Sequence, residues 1–228
     1  VPASLAEFLR GLVSRGMAGC NITLPHKEAA LHLLDEVDDL AVAVGAVNTV
    51  VVKNKKTIGT NTDVAGFYEN VKPHLSQTKK AVMLGAGGAA RGVAVALSQL
   101  GFSHIVITNR TREKAEAIAK DQALDVVAWE HRADALKDAD LLVNTTSLGL
   151  AGQPPLALDL SLLPQQAIVA DIVYKPLITP LLAQAESRGH KTVDGLGMLL
   201  HQAAPGFCAW FGVMPEVTDE LRGFILSA

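Results

Sequence analysis

Three polar residues in the first third of the sequence stand where their side chains could do chemistry: Lys27, Asn48 and Asp63. Pro25 is typical of the first turn of a helix, and a lysine two positions later opposes the helix dipole. That cost suggests a task for Lys27, either binding a substrate anion or transferring a proton; the alternative is an exposed surface lysine. Asn48 lies in an apolar stretch, where the alternative to a function is a buried, hydrogen-bonded amide. Asp63 follows a strand and can equally well cap the helix that comes next.

Residues 84–90 form a glycine-rich segment between an expected strand and an expected helix. The spacing of Gly85, Gly87 and Ala90 matches the G-x-G-x-x-G/A fingerprint of dinucleotide-binding folds. The first glycine permits a tight turn, the second lets the backbone approach a pyrophosphate, and the small third residue allows close packing of helix on strand. The helix N-terminus then meets the phosphate charge. A glycine-rich turn without a ligand is the alternative, which the position between strand and helix disfavours.

The end of the next expected strand indicates which dinucleotide is bound. An acidic residue about 20 positions after the glycines would bind the ribose 2′-hydroxyl of NAD. This sequence instead has Asn109, Arg110 and Thr111 there, with Lys114 one turn later. Cationic donors suit a 2′-phosphate, so the segment predicts NADP rather than NAD. A solvated arginine at a helix start is the alternative.

Strands and helices alternate through the middle of the sequence, which is typical of parallel βαβ units with right-handed crossovers. We therefore predict an α/β protein with a Rossmann-type parallel-sheet NADP domain at residues 75–195. A smaller α/β domain is predicted at 1–70, completed by tail helices within 198–228. The strands predicted for the parallel sheet are 81–84, 104–108, 125–127, 141–143, 168–170 and 191–193, with helices at 88–100, 111–120 and 180–187.

The first third and the tail of the chain lack this alternation. Residues 53–56, which include three lysines, are interpreted as a hairpin tip, and Trp129 and Trp210 as packing residues. The remaining predicted elements are helices at 5–12, 25–34, 37–44, 198–211 and 215–226, and strands at 17–23, 47–52 and 57–60.

Composition narrows the classes of protein to consider. The chain has 228 residues, of which 49% are hydrophobic and 19% charged, with a formal net charge of −3. It can form a core and has no basic excess, so we expect no nucleic-acid partner. Its apolar runs are short, so we expect no membrane span. Two cysteines cannot form a disulfide framework, which favours a cytoplasmic setting. The seven histidines show no metal-ligand spacing, so no metal is expected.

Several of these residues lie within eight short motifs spread over nearly the whole chain. The motifs are 19–27 (GCNITLPHK), 45–49 (GAVNT), 59–63 (GTNTD), 85–90 (GAGGAA), 109–111 (NRT), 144–149 (NTTSLG), 171–176 (DIVYKP) and 195–202 (GLGMLLHQ). In order and spacing they resemble the shikimate dehydrogenase family. Eight ordered motifs are far more specific than any one of them.

The resemblance implies NADP-linked interconversion of 3-dehydroshikimate and shikimate, a step of aromatic amino-acid (chorismate) biosynthesis. It implies that Lys27 and Asp63 are the catalytic pair, and which of them transfers the proton stays open. The resemblance also implies that the smaller domain binds the substrate. The substrate-binding residues implied are Thr23, Asn48, Tyr174 and Gln202. The cofactor-binding residues expected are Gly85, Ala86, Gly87, Gly88, Ala89, Asn109, Arg110, Thr111, Lys114, Thr145, Ile172 and Gly195.

One departure from the family concerns the start of the sequence. Family members begin with a strand and a Ser-x-Ser-Pro loop whose serines bind the substrate carboxylate, and the 228 residues contain no such segment. Together with a first residue, Val1, that is not Met, this suggests a fragment, so we expect the substrate domain to be incomplete at its N-terminus. The sequence allows a monomer or a homodimer.

Two other functions stay open at this stage. A quinate/shikimate dehydrogenase would accept an additional hydroxyl and often uses NAD, which residues 109–111 disfavour. A non-catalytic dinucleotide-binding sensor would need no proton-transfer pair, so the presence of both Lys27 and Asp63 disfavours it.

Overall fold

A small mixed sheet is built from residues within 19–60. The computed structural model describes residues 4–23 and 25–227. The sheet order is β1-β3-β4-β2; β1 and β4 run antiparallel to β3, and β2 runs parallel to β4. Its strands are β1 (Gly19–Asn21), β2 (Glu36–Val37), β3 (Thr49–Lys53) and β4 (Lys56–Thr60).

The predicted hairpin tip is confirmed. Lys53 pairs with Lys56, so the loop between β3 and β4 has two residues. Both of them, Asn54 and Lys55, have positive φ angles, 53° and 61°. This is the type I′ geometry whose twist matches that of the two strands.

A second sheet has six parallel strands in the order β10-β9-β8-β5-β6-β7. The order runs outward in both directions from β5 and β8, so the carboxyl ends of these two central strands border a crevice where ligands of such sheets bind. The predicted Rossmann-type fold is confirmed. The strands are β5 (Lys80–Leu84), β6 (His104–Thr108), β7 (Asp125–Val126), β8 (Leu141–Asn144), β9 (Ile168–Asp171) and β10 (Lys191–Val193).

Helices cover both faces of the large sheet. Residues that alternate along β5 enter different cores: Met83 packs in one with α4, α5 and α6, and Leu84 in the other with α7. Burial on both faces is the reason these strands are almost wholly apolar. The helices are α1 (Leu5–Ser14), α2 (Lys27–Ala30), α3 (Asp39–Val44), α4 (Asp63–Val71), α5 (Gly88–Gln99), α6 (Arg112–Gln122), α7 (Pro180–Ser187), α8 (Gly195–Phe211) and α9 (Asp219–Ser227).

The small sheet has its own core, a cluster of buried residues that includes Leu9 and Leu12 of α1 together with Val47 and Val50. All four of its strands come from within 1–70, and all six strands of the large sheet from within 75–195. The domain boundaries themselves stay a prediction. None of the helices in the described part of the chain is long and apolar enough to cross a membrane.

The predicted helix at 25–34 is confirmed only at Lys27–Ala30, and its predicted extent is wrong. Helix α2 has only four residues, and the amides of residues 31–33 bond three residues back, in tight turns. The turns bring Asp35 to β4, where its carboxylate accepts hydrogen bonds from the Thr57 amide at 2.7 Å and hydroxyl at 2.8 Å. A helix continued to residue 34 would carry Asp35 away from that strand.

Other boundaries differ by a few residues. The predicted helix at 37–44 begins only at Asp39, because Val37 pairs with Gly59 in β2. The predicted strand at 17–23 shortens to the three residues that pair with β3. Helix α8 begins three residues earlier than predicted, at Gly195, because the Asp194 side chain caps it.

Candidate active site

A cleft of about 390 Å³ lies between the small sheet and the carboxyl ends of β9 and β10. We call it the first cleft. It brings together all six residues predicted as catalytic or substrate-binding, although they come from both ends of the chain. Its lining residues are Asn21, Ile22, Thr23, Lys27, Asn48, Asp63, Ala89, Ile172, Tyr174, Gly195, Met198, Leu199 and Gln202.

Lys27 and Asp63 form an ion pair in this cleft. Lys27 Nζ lies 2.6 Å from Asp63 Oδ2, and their side chains are 12% and 7% exposed. Because α2 is a single turn, the helix dipole that Lys27 was expected to oppose is small. Asp63 does not cap α4: Thr62 is the N-cap residue, and Asp63 is the first helical residue, where the helix dipole favours a negative charge. The capping interpretation of Asp63 is therefore wrong.

Asn48 holds the second oxygen of Asp63. It lies just before β3, is 3% exposed, and its Nδ2 donates to Asp63 Oδ1 at 2.8 Å. The same amide group lies 3.3 Å from Gln202 Oε1. Its Oδ1 accepts the amide hydrogen of Thr62 at 2.8 Å. Asn48 is thus a buried, hydrogen-bonded amide that also lines the cleft. Its hydrogen bonds fix the orientation of the Asp63 carboxylate relative to Gln202.

Helix α8 reaches the first cleft because it packs closely on α4. A Cβ at Gly66 of α4 would come within 2.7 Å of the Met198 carbonyl oxygen and 2.6 Å of Gln202 Cβ. Only a glycine leaves room for this approach, and it sets the distance between Gln202 and Asn48.

A second cleft, of about 290 Å³, lies at the carboxyl ends of β5, β6 and β8. Gly85 has φ of +107°, and a Cβ there would come within 2.7 Å of Thr145 Oγ1. A Cβ at Gly87 would meet nothing within 4 Å, so the backbone at the start of α5 faces open space. Space at a helix N-terminus beside a glycine turn fits the pyrophosphate of a dinucleotide. The lining residues are Gly85, Ala86, Gly87, Asn109, Arg110, Thr111, Lys114, Trp129, Thr145, Thr146 and Ser147.

Two cations line this second cleft, Arg110 and Lys114. Both are exposed, and neither forms an ion pair with another residue in the described ranges. Asn109 Nδ2 donates to the Thr111 carbonyl at 2.8 Å, which shapes the turn between β6 and α6. The geometry leaves both cations available to an anionic group.

A buried carboxylate supports the segment after β9 that lines the first cleft. Asp171, at the end of β9, is 2% exposed and accepts hydrogen bonds from Asn144 Nδ2 at 3.0 Å, the Val173 amide at 3.0 Å and the Thr179 hydroxyl at 2.8 Å. Burial raises the pKa of Asp171 to about 6, against the lowering effect of these three donors. The network fixes the start of the segment that carries Ile172 to the first cleft.

Most predicted cofactor residues meet at the clefts. Eight line the second cleft, Ala89, Ile172 and Gly195 line the first, and Gly88 lines neither. A Cβ at Gly195 would collide with the Ile172 carbonyl, so this glycine allows α8 to begin close to β9. The N-terminus of α5 borders both clefts, since its N-cap residue Gly87 lines the second and Ala89, in the first turn, lines the first.

Sequence reasoning missed several lining residues. Trp129 was interpreted as packing, yet it is half-buried at the second cleft. Thr146 and Ser147 lie in a motif quoted for the family but were not assigned a role. Met198 and Leu199, the first two residues of the expected helix, line the first cleft, and only the neighbouring Gln202 indicated that this helix faces a site.

Comparison with known proteins supports a family assignment. The model of the shikimate dehydrogenase substrate-binding domain matches residues 1–50, and that of shikimate/quinate 5-dehydrogenases matches residues 69–155. Shikimate dehydrogenase (NADP(+)) of Paramagnetospirillum magneticum is 51% identical in an alignment of 233 positions, gaps included, which covers 99% of this chain and 84% of that protein. The chain belongs to the shikimate dehydrogenase family. The family resemblance found in the sequence motifs is thereby confirmed.

Solved structures of the shikimate dehydrogenase family share the fold. Quinate dehydrogenase from Corynebacterium glutamicum, in complex with NAD, superposes with a TM-score of 0.93 at 35% identity, over 100% of this chain and 84% of that one. Shikimate 5-dehydrogenase from Thermus thermophilus, in complex with NADP(H) and shikimate, has a TM-score of 0.85 at 39% identity, over 95% and 81%.

Proposed function

We propose that this protein is an NADP-dependent shikimate dehydrogenase, which reversibly reduces 3-dehydroshikimate to shikimate in aromatic amino-acid biosynthesis. The observation that carries the proposal is the Lys27–Asp63 ion pair, 2.6 Å long, in a cleft that meets the glycine-loop cleft at the N-terminus of α5. This geometry supports a proton-transfer pair that works next to a bound dinucleotide. Relatives about 50% identical that carry this enzyme name support the assignment.

The substrate would be bound by polar side chains of the first cleft. Asn48 and Gln202 lie together at its floor, and Thr23 and Tyr174 lie nearer the solvent. Amides and hydroxyls suit a polyhydroxylated ring because each can donate or accept a hydrogen bond. The apolar residues Met198 and Leu199 offer a surface for the carbon ring.

Lys27 would supply or accept the proton of the reacting hydroxyl. As an ammonium, it stabilises the negative charge that develops on the oxygen during reduction and can deliver a proton to it. Asp63 holds Lys27 Nζ in place through Oδ2, while Asn48 holds Oδ1. In the oxidative direction, a neutral amine at the same position accepts the proton. Either member of the pair can be the immediate proton donor.

NADP would lie with its phosphates at the glycine loop and its nicotinamide near Gly195 and Ile172. The chemistry that it supplies when bound is a hydride. Gly85 and Gly87 allow the backbone to approach the pyrophosphate, and Arg110, with Lys114, offers charge-assisted hydrogen bonds to the 2′-phosphate. Ala89 and Gly195 belong to the first cleft, so the two ligands would meet there.

The test is NADP⁺ reduction by the full-length protein, monitored through the absorbance of the reduced cofactor, with shikimate and then with quinate as the substrate. We expect turnover with shikimate and NADP⁺ and much weaker turnover with NAD⁺. Equal or faster turnover of quinate with NAD⁺ would favour the second candidate, a quinate dehydrogenase. The structural similarity to the NAD-bound quinate dehydrogenase from Corynebacterium glutamicum supports this candidate. Binding of NADP⁺ without turnover of either compound would favour a non-catalytic sensor.

Two further properties belong to the same proposal. The free cysteines Cys20 and Cys208 support a reducing, cytoplasmic location. Both clefts are lined by residues of one chain, so a monomer already contains both sites. The proposal is therefore compatible with a monomer and with a homodimer.

A further inference from the structure

Trp129 is the one aromatic residue among the described residues that line the second cleft. The other lining residues are small or polar, apart from the stem of Lys114. A dinucleotide brings two kinds of group to such a cleft: phosphates, which suit glycine amides and cations, and a flat, apolar purine. The glycine loop and Arg110 provide for the phosphates, which leaves Trp129 as the large apolar surface for the purine.

The topology places Trp129 beside the end of β6. The Val127 amide donates to the Ile107 carbonyl at 3.0 Å, which continues the pairing of β7 with β6 one residue beyond Val126. Trp129 therefore begins its short 3₁₀ helix, Trp129–His131, at the edge of the sheet where Arg110 also emerges. Both side chains line one cleft although 19 positions separate them.

Arg132 holds the indole in place. Its Cζ lies 4.7 Å from the centroid of the Trp129 ring, a cation–π contact. Its guanidinium donates to the Trp129 carbonyl at 2.8 Å and to the Ala157 carbonyl at 2.9 Å. Because an anchored cation covers one face of the indole, the side chain has little rotamer freedom left to lose. A ligand that packs on it therefore has only a small entropic cost to overcome.

We infer that Trp129 is the platform against which the adenine ring of NADP packs, with Arg132 fixing its orientation. The inference rests on the proposed function, since it assigns the adenosine half of the same cofactor. Stacking of a base on an aromatic side chain, measured by alanine substitution, corresponds to about 5- to 150-fold in affinity. Trp129 would thus contribute to the affinity for adenine, whereas Arg110 would distinguish NADP from NAD.

The experiment measures binding of NADP⁺ and of adenosine 2′-phosphate by calorimetry to the wild type, Trp129→Ala, Trp129→Phe and Trp210→Phe. We expect Trp129→Ala to weaken the binding of both ligands by about 5- to 150-fold and Trp129→Phe to recover most of the loss. Trp210 is the matched control, because it is the chain's other tryptophan and its indole donates to Val50 of the small sheet at 2.9 Å. Trp210→Phe should leave both affinities unchanged.

A fluorescence measurement separates a ligand contact from a folding defect. In Trp210→Phe the only remaining tryptophan is Trp129, and its emission should change on titration with adenosine 2′-phosphate. In Trp129→Phe the remaining Trp210 should give no change. If wild-type protein binds the ligands but Trp129→Ala binds them within about twofold, or the emission of Trp129 does not respond, the inference is overturned while the proposed function stands. If wild-type protein does not bind NADP⁺ at all, the proposed function is what fails.

Discussion

The ion pair between Lys27 and Asp63 has a neutral hydrogen-bonding neighbour, Asn48, on its far side. Substituting Lys27 by Ala removes the group that would stabilise the developing alkoxide, so kcat should fall by about 10²–10⁴ with a smaller change in KM. Asp63→Asn should act in the same direction, because Lys27 loses its anchoring charge. Steady-state kinetics with shikimate and NADP⁺ measure both effects.

The control for Lys27 is Lys53→Ala, at the exposed hairpin tip, which should keep wild-type kinetics. A Lys27→Ala enzyme that retained kcat within about threefold would exclude the proposed role of this lysine.

Arg110 is the residue expected to select the cofactor. Charge-assisted hydrogen bonds to a phosphate stabilise binding by roughly 1.5–3 kcal/mol, so Arg110→Ala should weaken NADP⁺ about 10- to 150-fold and leave NAD⁺ almost unchanged. Arg112→Ala is the matched control, because Arg112 is two positions away, exposed and paired with Glu116 at 2.7 Å. Calorimetric titration with both cofactors distinguishes the two variants; equal losses for NADP⁺ and NAD⁺ would point to a disturbed glycine loop instead.

At the scale of single residues, the sequence can mark candidate residues by their type but cannot show which of them are in contact. The types and motifs of Lys27 and Asp63 marked them as candidates, but nothing in a linear sequence brings together side chains 36 positions apart. Trp129 was missed for a related reason: a tryptophan near an apolar strand is typical of packing, and only the sheet order shows that its strand ends beside Arg110.

At the scale of the elements, the close packing of α4 on α8 determines where Gln202 lies in the first cleft. Gly66→Ala would press its new methyl group against the Met198 carbonyl, which is backbone and cannot rotate away. Overpacking of this kind costs about 1–3 kcal/mol, more than the gain of about 1 kcal/mol in helix propensity. We expect a lower free energy of unfolding in urea and a higher KM for shikimate, because α8 carries Gln202.

The matched control is Gly223→Ala in α9, where a Cβ would meet nothing within 4 Å. The same substitution there should be neutral or stabilising by up to about 1 kcal/mol, with KM unchanged. Equal effects at the two glycines would contradict the proposed role of the close α4–α8 approach.

The elements of the large sheet could be predicted closely because apolar runs and glycine turns punctuate them. The strand at His104–Thr108 and the helix at Pro180–Ser187 match the prediction residue for residue. The end of helix α2 could not be predicted, because the turns that follow it are held by a contact between Asp35 and Thr57, on a strand more than 20 positions away. Sheet order was also beyond the sequence, since parallel crossovers are compatible with several strand orders.

For the molecule as a whole, Asp171 links stability to pH. Its folded-state pKa of about 6 lies above the ordinary 3.8, because the carboxylate is buried. The folded state therefore holds this proton more tightly than the unfolded chain, and the associated stability is fully present below pH 3.8 and is lost as pH rises through about 6. One pKa unit corresponds to about 1.4 kcal/mol, so the loss amounts to about 3 kcal/mol.

Urea unfolding of the wild type and Asp171→Asn between about pH 4 and 8 measures this effect. The stability of the wild type relative to the variant should decline as pH rises and level off above about pH 7. Asp159→Asn is a control of opposite sign, because hydrogen bonds from the Ser161 amide and hydroxyl lower the pKa of Asp159. The contribution of Asp159 to the free energy of unfolding is therefore lost as pH falls. Parallel curves for the wild type and Asp171→Asn would refute the assignment to Asp171.

The two clefts differ in net charge, which bears on how each ligand is attracted from a distance. The charged groups among the described residues of the first cleft, Lys27 and Asp63, cancel, whereas Arg110 and Lys114 of the second have no carboxylate beside them in its lining. Dissolved ions screen exposed charges over about 8–10 Å at ordinary ionic strength. Added salt should therefore slow capture of the cofactor, an anion several-fold charged, and raise its KM, while the KM for shikimate changes little. Kinetics in a salt series would show whether electrostatic steering acts at only one of the two entrances to the enzyme.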